Sequence, residues 1–391
     1  MSESLVRVGM VGIGTMGAAH ARLFVNQEIP GARLAAVSDV NPTAMEEFTQ
    51  AEQFPSGEAM IASGELDAVV VATPHYDHPG LAIAALEAGL HLVVEKPLAV
   101  STLEAGRIIK AYEKRPRSEQ VFAVMFNQRT NPRFVKLREM IRSGELGSIQ
   151  RVSWIITDWF RTEAYFRSGG WRATWAGEGG GVLVNQCPHQ LDLMQWLFGL
   201  PKKVRAFAQF GADHEIEVED RVTAYLEYAD RATGTFIAAT GEFPGSNRLE
   251  VACDRGKVVI DESRESDKAF RFLRTKVEVS EHSRVTDRRF DGPEVEEIVV
   301  PIDGKGGQHK AILVNFIEAI RDGADLIGPG VEGMGGVELA NAMLYSAWTD
   351  RTVELPVPEL AYAEALAERA AVSRFRKKPV VAVKDDVSGS Y

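Results

Sequence analysis

Residues 6–17 decide the fold, and they read Val6-Arg7-Val8-Gly9-Met10-Val11-Gly12-Ile13-Gly14-Thr15-Met16-Gly17. The apolar run that ends at Val11 predicts a buried strand, and the glycines after it predict a tight turn into a helix. Gly12 permits the turn, Gly14 lets a ligand approach the backbone, and Gly17 lets the helix pack close to the strand. The stretch therefore predicts the first strand–turn–helix unit of a doubly wound sheet, with a helix N-terminus open to a pyrophosphate.

Asp39 closes the second predicted strand, which runs over Leu34–Val37, and it follows Gly17 by 22 residues. A carboxylate at this place hydrogen-bonds the hydroxyls of an adenosine ribose and repels a 2′-phosphate. Ile13, Thr15 and Met16 complete the glycine turn and begin the helix behind it. We therefore expect these residues, together with the three glycines, to bind NAD in preference to NADP.

Short apolar runs alternate with longer amphipathic stretches over the first 126 residues. The predicted strands are Leu5–Val11, Leu34–Val37, Ala68–Ala72, His91–Val94 and Val121–Met125. The predicted helices between them are Ala18–Asn26, Pro42–Ala51, Pro79–Ala88 and Thr102–Tyr112. Strands that alternate with helices of this length form a parallel sheet covered on both faces. Residues 1–126 are therefore expected to form an α/β Rossmann domain that binds a dinucleotide.

The pattern changes after residue 126. The elements predicted there include a helix after Pro132, a strand over Ile149–Thr157, a helix over Gly181–Phe198 and late helices near 309–321 and 334–349. Between residues 203 and 300, short strands follow one another without helices, which is typical of an antiparallel sheet. Residues 127–355 are therefore expected to form an α+β, substrate-binding domain around an open, mostly antiparallel sheet.

The chain has 391 residues, of which 45% are apolar and 25% charged, and its net charge is −11. This acidic balance argues against a nucleic-acid partner, because binding to phosphates needs an excess of cations. No apolar run reaches the roughly 18 residues of a membrane span, and no signal peptide is visible at the start. Two cysteines are too few for a disulfide framework. We expect a cytoplasmic protein without nucleic-acid or membrane partners.

Residues 356–391 form a separate C-terminal extension in this division of the chain, helical around Glu359–Arg374 and then rich in Lys and Val. Two interpretations remain open, a flexible tail and an arm that crosses a partner subunit. We expect a homo-oligomer, either a dimer or a tetramer.

Two motifs carry candidate catalytic side chains. Glu95-Lys96-Pro97 ends the fourth predicted strand, at the crevice where doubly wound sheets bind their ligands. Pro97 keeps Lys96 out of a helical conformation. Four residues of the predicted helix 181–198 recur at spacings of four, three and four, so they share one face: Asn185, His189, Asp192 and Trp196. A histidine flanked by an amide and a carboxylate on one stripe favours a functional site over a structural one.

These motifs resemble those of the Gfo/Idh/MocA oxidoreductases, and the resemblance covers nearly the whole chain. It is carried by Gly12-Ile13-Gly14, Ala72-Thr73-Pro74, Glu95-Lys96-Pro97, Gly179-Gly180-Gly181, His189 and Asp192. It implies a Rossmann domain, an open-sheet domain, and hydride transfer between a nicotinamide and a carbinol carbon of a sugar, cyclitol or glycoside. Carried over residue by residue, Lys96 and His189 are the expected catalytic pair.

The same resemblance implies that Thr73, Pro74, Glu95 and Lys96 line the cofactor site. His78 follows Thr73 closely and is expected to contact the cofactor or the substrate. In alcohol oxidation a base takes the hydroxyl proton as the hydride leaves. His189 is the better base by its ordinary pKa, while a lysine beside a cationic nicotinamide can have its pKa lowered or can polarise the oxygen.

Asn185 departs from the family pattern, because cyclitol dehydrogenases of the family usually carry Asp four residues before the histidine. An amide cannot take up a proton or assist His189 with a charge. The departure weakens an inositol-dehydrogenase assignment and favours Asn185, with Asp192, as a ligand of substrate hydroxyls.

Four of the six tryptophans fall between Trp154 and Trp175, interleaved with arginines and flanked by glycines. Aromatic faces stack on pyranose rings, and arginine forks grip carboxylate, phosphate or sulfonate groups. For Trp154 a place in the core is an equally good interpretation. The other substrate-binding candidates are Arg161, Tyr165, Trp171 and Arg172, and they predict an anionic or glycosylated sugar.

Two alternatives to an NAD-dependent oxidoreductase remain open. Some members of the superfamily are NAD-dependent glycosidases, which oxidise a ring hydroxyl, eliminate the aglycone, add water and reduce the ketone again. An anionic glycoside such as a sulfoquinovoside would suit the arginine-rich loop. The other alternative is a non-catalytic sugar or nucleotide sensor, which would need neither Lys96 nor His189. No ligand spacing supports a metal site.

Overall fold

The computed structural model describes residues 5–262 and 269–373. The strands of the N-terminal part are β1 Val6–Val11, β2 Ala32–Ser38, β3 Glu52–Phe54, β4 Ala68–Val71, β5 His91–Val94 and β6 Phe122–Val124. The helices are α1 Thr15–Val25, α2 Pro42–Met45, α3 Gly57–Ile61, α4 His78–Glu87 and α5 Thr102–Glu113. The strands pair in parallel in the order β3-β2-β1-β4-β5-β6. The expected Rossmann sheet is confirmed.

One stretch of this part differs from the prediction. The helix expected over Pro42–Ala51 ends at Met45, and the chain continues through a turn in which Phe48 is buried. The apolar spacing of this stretch therefore reflects contacts of a turn with the core and not a longer helix. The short edge strand β3 and helix α3 follow, and neither was expected.

The C-terminal part is built on a second sheet. Its strands are β7 Ile149–Ile156, β8 Lys203–Phe210, β9 Glu219–Glu227, β10 Thr233–Ala239, β11 Asn247–Cys253, β12 Gly256–Asp261, β13 Phe270–Thr275, β14 Val295–Val299 and β15 Val353–Glu354. Its helices are α6 Pro132–Arg142, α7 Glu163–Arg167, α8 Pro188–Phe198, α9 Val279–Val285, α10 Gln308–Asp322, α11 Gly333–Thr349 and α12 Glu359–Ala371.

These strands lie in the order β14-β13-β12-β11-β7-β10-β9-β8-β15. Neighbours pair antiparallel except β7 and β10, which pair in parallel. Along β9 every second side chain is buried, so one face of the sheet packs on the core and the other is open. The expected open, mostly antiparallel sheet is confirmed.

Helix α10 connects the two parts in space. Its residues Ile312, Leu313, Phe316 and Ile317 are buried in the same apolar cluster as strand β1. The division at residue 126 therefore describes the sheets well, but α10 packs on the N-terminal core although it lies within 127–355. The C-terminal part therefore contacts the N-terminal part through this helix, and helices α11 and α12 also pack on α5.

Helix α12 belongs to the C-terminal core, which corrects its assignment to a separate extension. Tyr362 is fully buried and stacks on Trp348 with ring centroids 5.3 Å apart, and the Arg369 guanidinium lies 4.1 Å from the Trp348 ring. The rest of the predicted extension, residues 374–391, lies outside the described residues. Within the described ranges, none of the helices is both long and apolar enough to cross a bilayer.

Candidate active site

The three glycines after β1 have the different environments that a dinucleotide turn requires. Gly12 has a φ of +86°, and a Cβ there would lie 2.7 Å from the carbonyl oxygen of Ala72. A Cβ on Gly17 would lie 1.8 Å from the carbonyl oxygen of Gly12, so α1 packs directly on the turn. A Cβ on Gly14 would meet no atom within 4 Å. The open space at Gly14 fits the close approach of a pyrophosphate to the backbone.

Asp39, just after β2, is bound to the same turn. Its carboxylate accepts hydrogen bonds from the main-chain N–H of Ile13 at 2.7 Å and of Asn41 at 2.8 Å. Thr15 is exposed in the first turn of α1 and Met16 is half-buried beside it. The carboxylate is therefore fixed next to an accessible helix N-terminus, and these residues fit an adenosine ribose and a pyrophosphate.

His78 has a different role from the one that the sequence suggested. It is fully buried, and its ring nitrogens lie 2.9 Å from the carbonyl oxygens of Thr73 and Pro97. It therefore ties the segment after β4 to the cis peptide bond between Lys96 and Pro97, and it leaves no exposed surface for a cofactor. Thr73 and Pro74 are half-buried at the end of β4, where they remain candidates for cofactor contacts.

The buried Glu95 carboxylate contacts both His20 and the main chain of Lys96. One of its carboxylate oxygens lies 2.7 Å from Nε2 of His20, and the other accepts the main-chain N–H of Lys96 at 3.0 Å. Burial by itself opposes ionisation of Glu95, but His20 overcomes this through its hydrogen bond and charge and lowers the pKa of Glu95 to about 2. Glu95 is therefore a buried anion beneath Lys96.

Lys96 follows β5 and extends toward the C-terminal domain. Its Nζ donates a hydrogen bond to the main-chain oxygen of Asn185 at 3.0 Å. Burial lowers the pKa of Lys96; the charge of Glu95 opposes that shift, whereas the cationic Arg172 adds to it. The lysine therefore gives up its proton more readily than an exposed lysine.

His189 lies in the first turn of α8 and is 6% exposed. Burial lowers the pKa of His189 well below its ordinary value, and the charge of Lys96 lowers it further. Its imidazole is therefore neutral at pH 7, as a general base must be. Within the described residues, its Nδ1 has no hydrogen-bond partner.

The single helix predicted over 181–198 is wrong. Val182–Gln186 form a π-helical turn, and α8 begins only at Pro188, which lacks the N–H that a continuous helix would need. The spacing of four, three and four therefore does not place Asn185 on the face of His189. The Asn185 amide instead donates hydrogen bonds to the carboxylate of Glu178 and, at 3.3 Å, to the hydroxyl of Tyr165.

Asp192 is bound within the protein and does not reach the site. Its two carboxylate oxygens accept hydrogen bonds from Arg129 at 2.8 and 2.6 Å, and it is 1% exposed. Arg129 is fully buried as well and contacts Glu332. The expected role of Asp192 as a substrate ligand is corrected to that of an ion-pair partner, because both of its oxygens are occupied by a guanidinium fork.

Tyr165, in α7, is surrounded by donors. Its hydroxyl oxygen accepts hydrogen bonds from Nη1 of Arg172 at 2.7 Å, from Gln186 at 3.2 Å and from Asn185. The Arg172 guanidinium lies 4.6 Å from the Tyr165 ring and 4.6 Å from the Trp171 ring. Tyr165, Trp171, Arg172 and Asn185 thus lie together, beside the main-chain oxygen that Lys96 contacts.

The remaining residues of the aromatic loop divide between site and core. The Arg161 guanidinium lies 5.0 Å from the Tyr165 ring, which places a second cation at the cluster. Trp154 is 1% exposed and donates a hydrogen bond to Asn247, so the structure decides for its interpretation as a core residue. Trp175 is 7% exposed and packs on Trp348 in the same core.

Sequence reasoning missed two acidic residues that shape the loop. The Glu178 carboxylate accepts the N–H of Ala173 at 2.6 Å, besides binding Asn185. Glu219 accepts the N–H groups of Gly181 at 2.9 Å and Leu183 at 3.0 Å. One charged residue between two glycines was a usable signal for Glu178. The sequence contains no comparable signal for Glu219, which lies on a distant strand. No group of three or more His, Cys, Asp or Glu side chains in the described ranges could hold a metal ion.

Two family models match the chain. The model described as an oxidoreductase family with an NAD-binding Rossmann fold matches residues 6–123. The model described as the GFO/IDH/MocA C-terminal domain matches residues 134–259. The two matches follow the two sheets.

Individual relatives support the same grouping. An inositol 2-dehydrogenase of Corynebacterium glutamicum is 31% identical over 205 residues, which cover 51% of this chain and 56% of that protein. The chain thus spans somewhat more than half of the length of the first curated relatives it matches. A levoglucosan dehydrogenase of Pseudarthrobacter phenanthrenivorans is 25% identical, over 90% of this chain and 98% of its own. The WlbA dehydrogenase from Bordetella pertussis, solved with NADH and UDP-GlcNAcA, is 25% identical with a TM-score of 0.77, covering 91% of this chain and 99% of its own.

Proposed function

Since the chain belongs to the Gfo/Idh/MocA family of oxidoreductases and carries its NAD-binding Rossmann domain, we propose that it transfers a hydride between NAD and a secondary alcohol of a sugar, cyclitol or glycoside. The observation that carries this proposal is the pairing of Lys96, whose Nζ lies 3.0 Å from the Asn185 oxygen, with the buried, neutral His189. Lys96 follows strand β5, and His189 lies in the first turn of α8.

The division of labour between the two side chains follows from their environments. Bound NAD supplies the hydride acceptor. As the C–H electron pair leaves the substrate carbon, its O–H bond must break, and the neutral imidazole of His189 can accept that proton. Lys96, with its lowered pKa, can hydrogen-bond the same oxygen and share the proton. In the reverse direction the same groups return a proton to the carbonyl oxygen.

The experiment is an assay of free sugars, cyclitols and glycosides with NAD, in which both NADH and released aglycone are recorded. NADH that accumulates in proportion to substrate supports a dehydrogenase. Lys96→Ala and His189→Ala should each lower kcat by about 10²-fold or more, as expected when a proton-transfer group is lost. Turnover that survives both substitutions unchanged would refute the assigned roles.

We propose that NAD is preferred over NADP because the Asp39 carboxylate is fixed beside the glycine turn by two main-chain N–H groups. Asp39→Ser and Asp39→Arg should shift the ratio of kcat/KM values toward NADP, since the negative charge that repels a 2′-phosphate is gone. Asp39→Asn is the matched variant that keeps the shape. Unchanged selectivity in all three variants would count against this assignment.

The substrate is proposed to carry an anionic group. Arg172 and Arg161 both approach the ring of Tyr165, and only Nη1 of Arg172 is used by the tyrosine hydroxyl in the hydrogen bonds described above. Guanidinium forks bind carboxylate, phosphate and sulfonate groups well. Arg172→Ala should raise KM for an anionic substrate about tenfold or more with a smaller change for a neutral analogue. An unchanged KM for the anionic substrate would exclude this role.

A net hydrolase that recycles NAD is the second candidate, and the hydroxyl of Tyr165 favours it. Since three N–H donors already point at its oxygen, the hydroxyl proton has to be donated elsewhere, for example to a leaving oxygen. A plain dehydrogenase needs no such second proton donor. Aglycone release that requires NAD but accumulates no NADH would select this candidate. A non-catalytic sensor is the third, and it predicts no turnover of any kind in the same assay.

A further inference from the structure

The carboxylate of Glu178 is buried between the aromatic loop and the π-helical turn, and it has no part in the proposed hydride and proton transfers. Glu178 is 1% exposed, and each of its two oxygens accepts an N–H group. One oxygen accepts the main-chain N–H of Ala173 at 2.6 Å, and the other accepts the side-chain amide of Asn185. Glu178 therefore joins the loop that carries Arg172 to the turn that carries Asn185.

The main chain on both sides of Glu178 has little freedom to move. A Cβ on Gly177 would lie 2.2 Å from a main-chain oxygen of the aromatic loop, and Gly179 has a φ of +81°. The carbonyl oxygen of Glu178 itself lies 3.0 Å from Nδ1 of the buried His75. The backbone that carries the carboxylate is therefore held in one position.

Glu178 determines which way the amide of Asn185 points. An asparagine can turn either its oxygen or its nitrogen toward a neighbour, but an ionised carboxylate offers only acceptors, so Asn185 must turn Nδ2 toward Glu178. The second hydrogen of Nδ2 is donated to the hydroxyl oxygen of Tyr165, at 3.3 Å. A hydroxyl can either accept or donate, so Tyr165 alone would tolerate both orientations of the amide.

Oδ1 is the part of the Asn185 side chain that remains for a ligand, because both amide hydrogens are in use. It accepts no hydrogen bond among the described residues, and it does not belong to the sealed polar atoms without a partner, as Oε1 of Gln186 does. The main-chain oxygen of Asn185 accepts Nζ of Lys96 at 3.0 Å. A hydrogen-bond acceptor is therefore available to a substrate close to the proposed catalytic lysine.

We propose that Glu178 is a positioning residue that holds the amide oxygen of Asn185 toward the substrate, so that the site selects a hydroxyl donor near the reacting carbon. The inference rests on the proposed hydride transfer and deepens it, because it adds a second element of recognition to the arginines. A substrate hydroxyl at this place donates a hydrogen bond to Oδ1. An ether oxygen, a fluorine or a carboxylate there would place an acceptor against an acceptor and is disfavoured.

Glu178→Gln should reverse the polarity of this position without removing the contacts that hold the loop. The glutamine oxygen can still accept the N–H of Ala173, which leaves its NH2 group facing Asn185. The Asn185 amide must then turn its oxygen toward the glutamine and its nitrogen toward the substrate. In the double variant Glu178→Gln/Asn185→Asp, the glutamine donates to the aspartate, whose other oxygen faces the substrate again. The double variant also has the net charge of the unmodified protein.

The first measurement needs no substrate. In protein with isotope-labelled asparagine, the side-chain NH2 signal of Asn185 is assigned by its loss in Asn185→Asp, and NMR follows the exchange of its hydrogens with water. Both hydrogens are bound within the protein, so exchange should be slow in the unmodified protein. In Glu178→Gln they face the open site, and exchange should be about tenfold faster or more. Fast exchange in the unmodified protein, or equal exchange in the two proteins, would overturn the proposal.

The second measurement uses the sugar with the highest kcat/KM in the NAD assay and its analogues in which one hydroxyl is replaced by fluorine. Fluorine is close to a hydroxyl in size but cannot donate a hydrogen bond. At one ring position the unmodified enzyme should prefer the hydroxyl about tenfold in kcat/KM, roughly the contribution of one hydrogen bond. Glu178→Gln should lose this preference, and the double variant should regain it. A preference that persists in Glu178→Gln, or that the double variant does not regain, would contradict the role of Glu178.

Glu163→Gln is the matched control, since its carboxylate accepts the main-chain N–H of Glu215 at 2.8 Å and it should change neither measurement. A melting curve of each variant confirms that it is folded, and the exchange rate in the unmodified protein decides the orientation of Asn185 without any variant of Glu178. If no sugar, cyclitol or glycoside is turned over, the proposed function fails and the selection of a substrate hydroxyl fails with it. The exchange rates still decide in that case whether Glu178 orients Asn185.

Discussion

At the residue scale, two glycines of the first turn are expected to have different roles, Gly17 in folding and Gly14 in ligand binding. Gly17 has no room for a side chain, because its Cβ would lie 1.8 Å from the Gly12 oxygen, whereas Gly14 faces open space. Gly17→Ala should therefore lower the free energy of unfolding by about 1–3 kcal/mol, as overpacking does. Gly14→Ala should leave the melting temperature of the ligand-free protein unchanged and weaken NAD binding.

Thermal melts without NAD and calorimetric titration with NAD check this pair, and each variant is the control for the other. The same large loss of stability in Gly14→Ala would show that its space is needed for folding and not for a ligand. NAD affinity equal to that of the unmodified protein would show that the pyrophosphate does not approach Gly14.

Glu219 is a buried acid whose charge state depends on pH in the physiological range. It is fully buried in β9, one oxygen binds the N–H groups of Gly181 and Leu183, and the other has no partner among the described residues. Burial raises the pKa of Glu219 from 4.5 to about 7. Since the folded state holds the proton more tightly than the unfolded chain, the free energy of unfolding falls as pH rises from about 4.5 to 7 and stays low above that.

Glu219→Gln should remove this pH dependence, because the amide keeps an oxygen for Gly181 and Leu183 and has no proton to lose. The substitution should therefore raise the free energy of unfolding, relative to the unmodified protein, by about 3 kcal/mol more at pH 8 than at pH 5. Urea denaturation at the two pH values measures it. Glu227→Gln, at the exposed end of the same strand, is the control and should show no such difference. An equal difference at both pH values for Glu219→Gln would contradict the shifted pKa.

At the element scale, the motifs predicted the local structure around the candidate site better than the periodicity did. The glycine turn, Asp39 and the strand ends before Thr73 and Lys96 all fall where the sequence predicts, because each depends on a few local residues. The helix over 181–198 does not, since the spacing of polar residues is compatible with a straight helix whereas Pro188 and the π-helical turn divide it. That division is stabilised by Glu219, which is distant in sequence.

His78 and Asp192, whose expected roles the structure corrects, show the same limit of prediction from sequence. His78 and Asp192 each have the right residue type in the right motif, but their partners are a pair of carbonyl groups and a buried arginine. Sequence pattern predicts which residues are near the site, whereas tertiary contacts decide which of them face into it. Arg129 lies between two predicted elements, so nothing in its own neighbourhood indicated an ion pair.

Helix α12 should contribute to the stability of the C-terminal domain, since Tyr362 is fully buried against Trp348. Tyr362→Ala should lower the free energy of unfolding by about 3–5 kcal/mol, the usual cost of removing a buried aromatic ring. Leu360→Ala changes a residue of the same helix that is 62% exposed and should cost little. Urea denaturation compares the two, and equal small losses would show that α12 is a detachable extension after all.

At the scale of the whole molecule, the site depends on both domains. Lys96 follows a strand of the parallel sheet, Asn185 lies in the π-helical turn and His189 lies in α8. Helix α10 packs on the N-terminal core. His75, just after β4, lies 3.0 Å from the main-chain oxygen of Glu178 and so links the cofactor side to the aromatic loop. Binding of a cofactor is therefore expected to stabilise the aromatic loop, and binding of a substrate at the loop is expected to stabilise the cofactor side.

The open face of the second sheet is a candidate subunit interface for the predicted homo-oligomer. Phe207 on β8 and Tyr225 on β9 lie on the same face, because Tyr225 is paired with Arg205, two residues before Phe207. They are 61% and 43% exposed, and aromatic residues on an uncovered sheet are typical of subunit contacts. We expect this face to pair with a second copy of the chain.

Light scattering after size-exclusion chromatography should give two or four times the mass of one chain. The double variant Phe207→Glu and Tyr225→Glu should shift the protein to the monomer, because four carboxylates would then have to be buried in every pair of subunits without partners. Phe290→Glu replaces a fully exposed phenylalanine of a loop and should leave the assembly unchanged. A monomer of the unmodified chain at micromolar concentration would contradict the predicted oligomer, and an oligomer that survives the double substitution would place its interface on another surface.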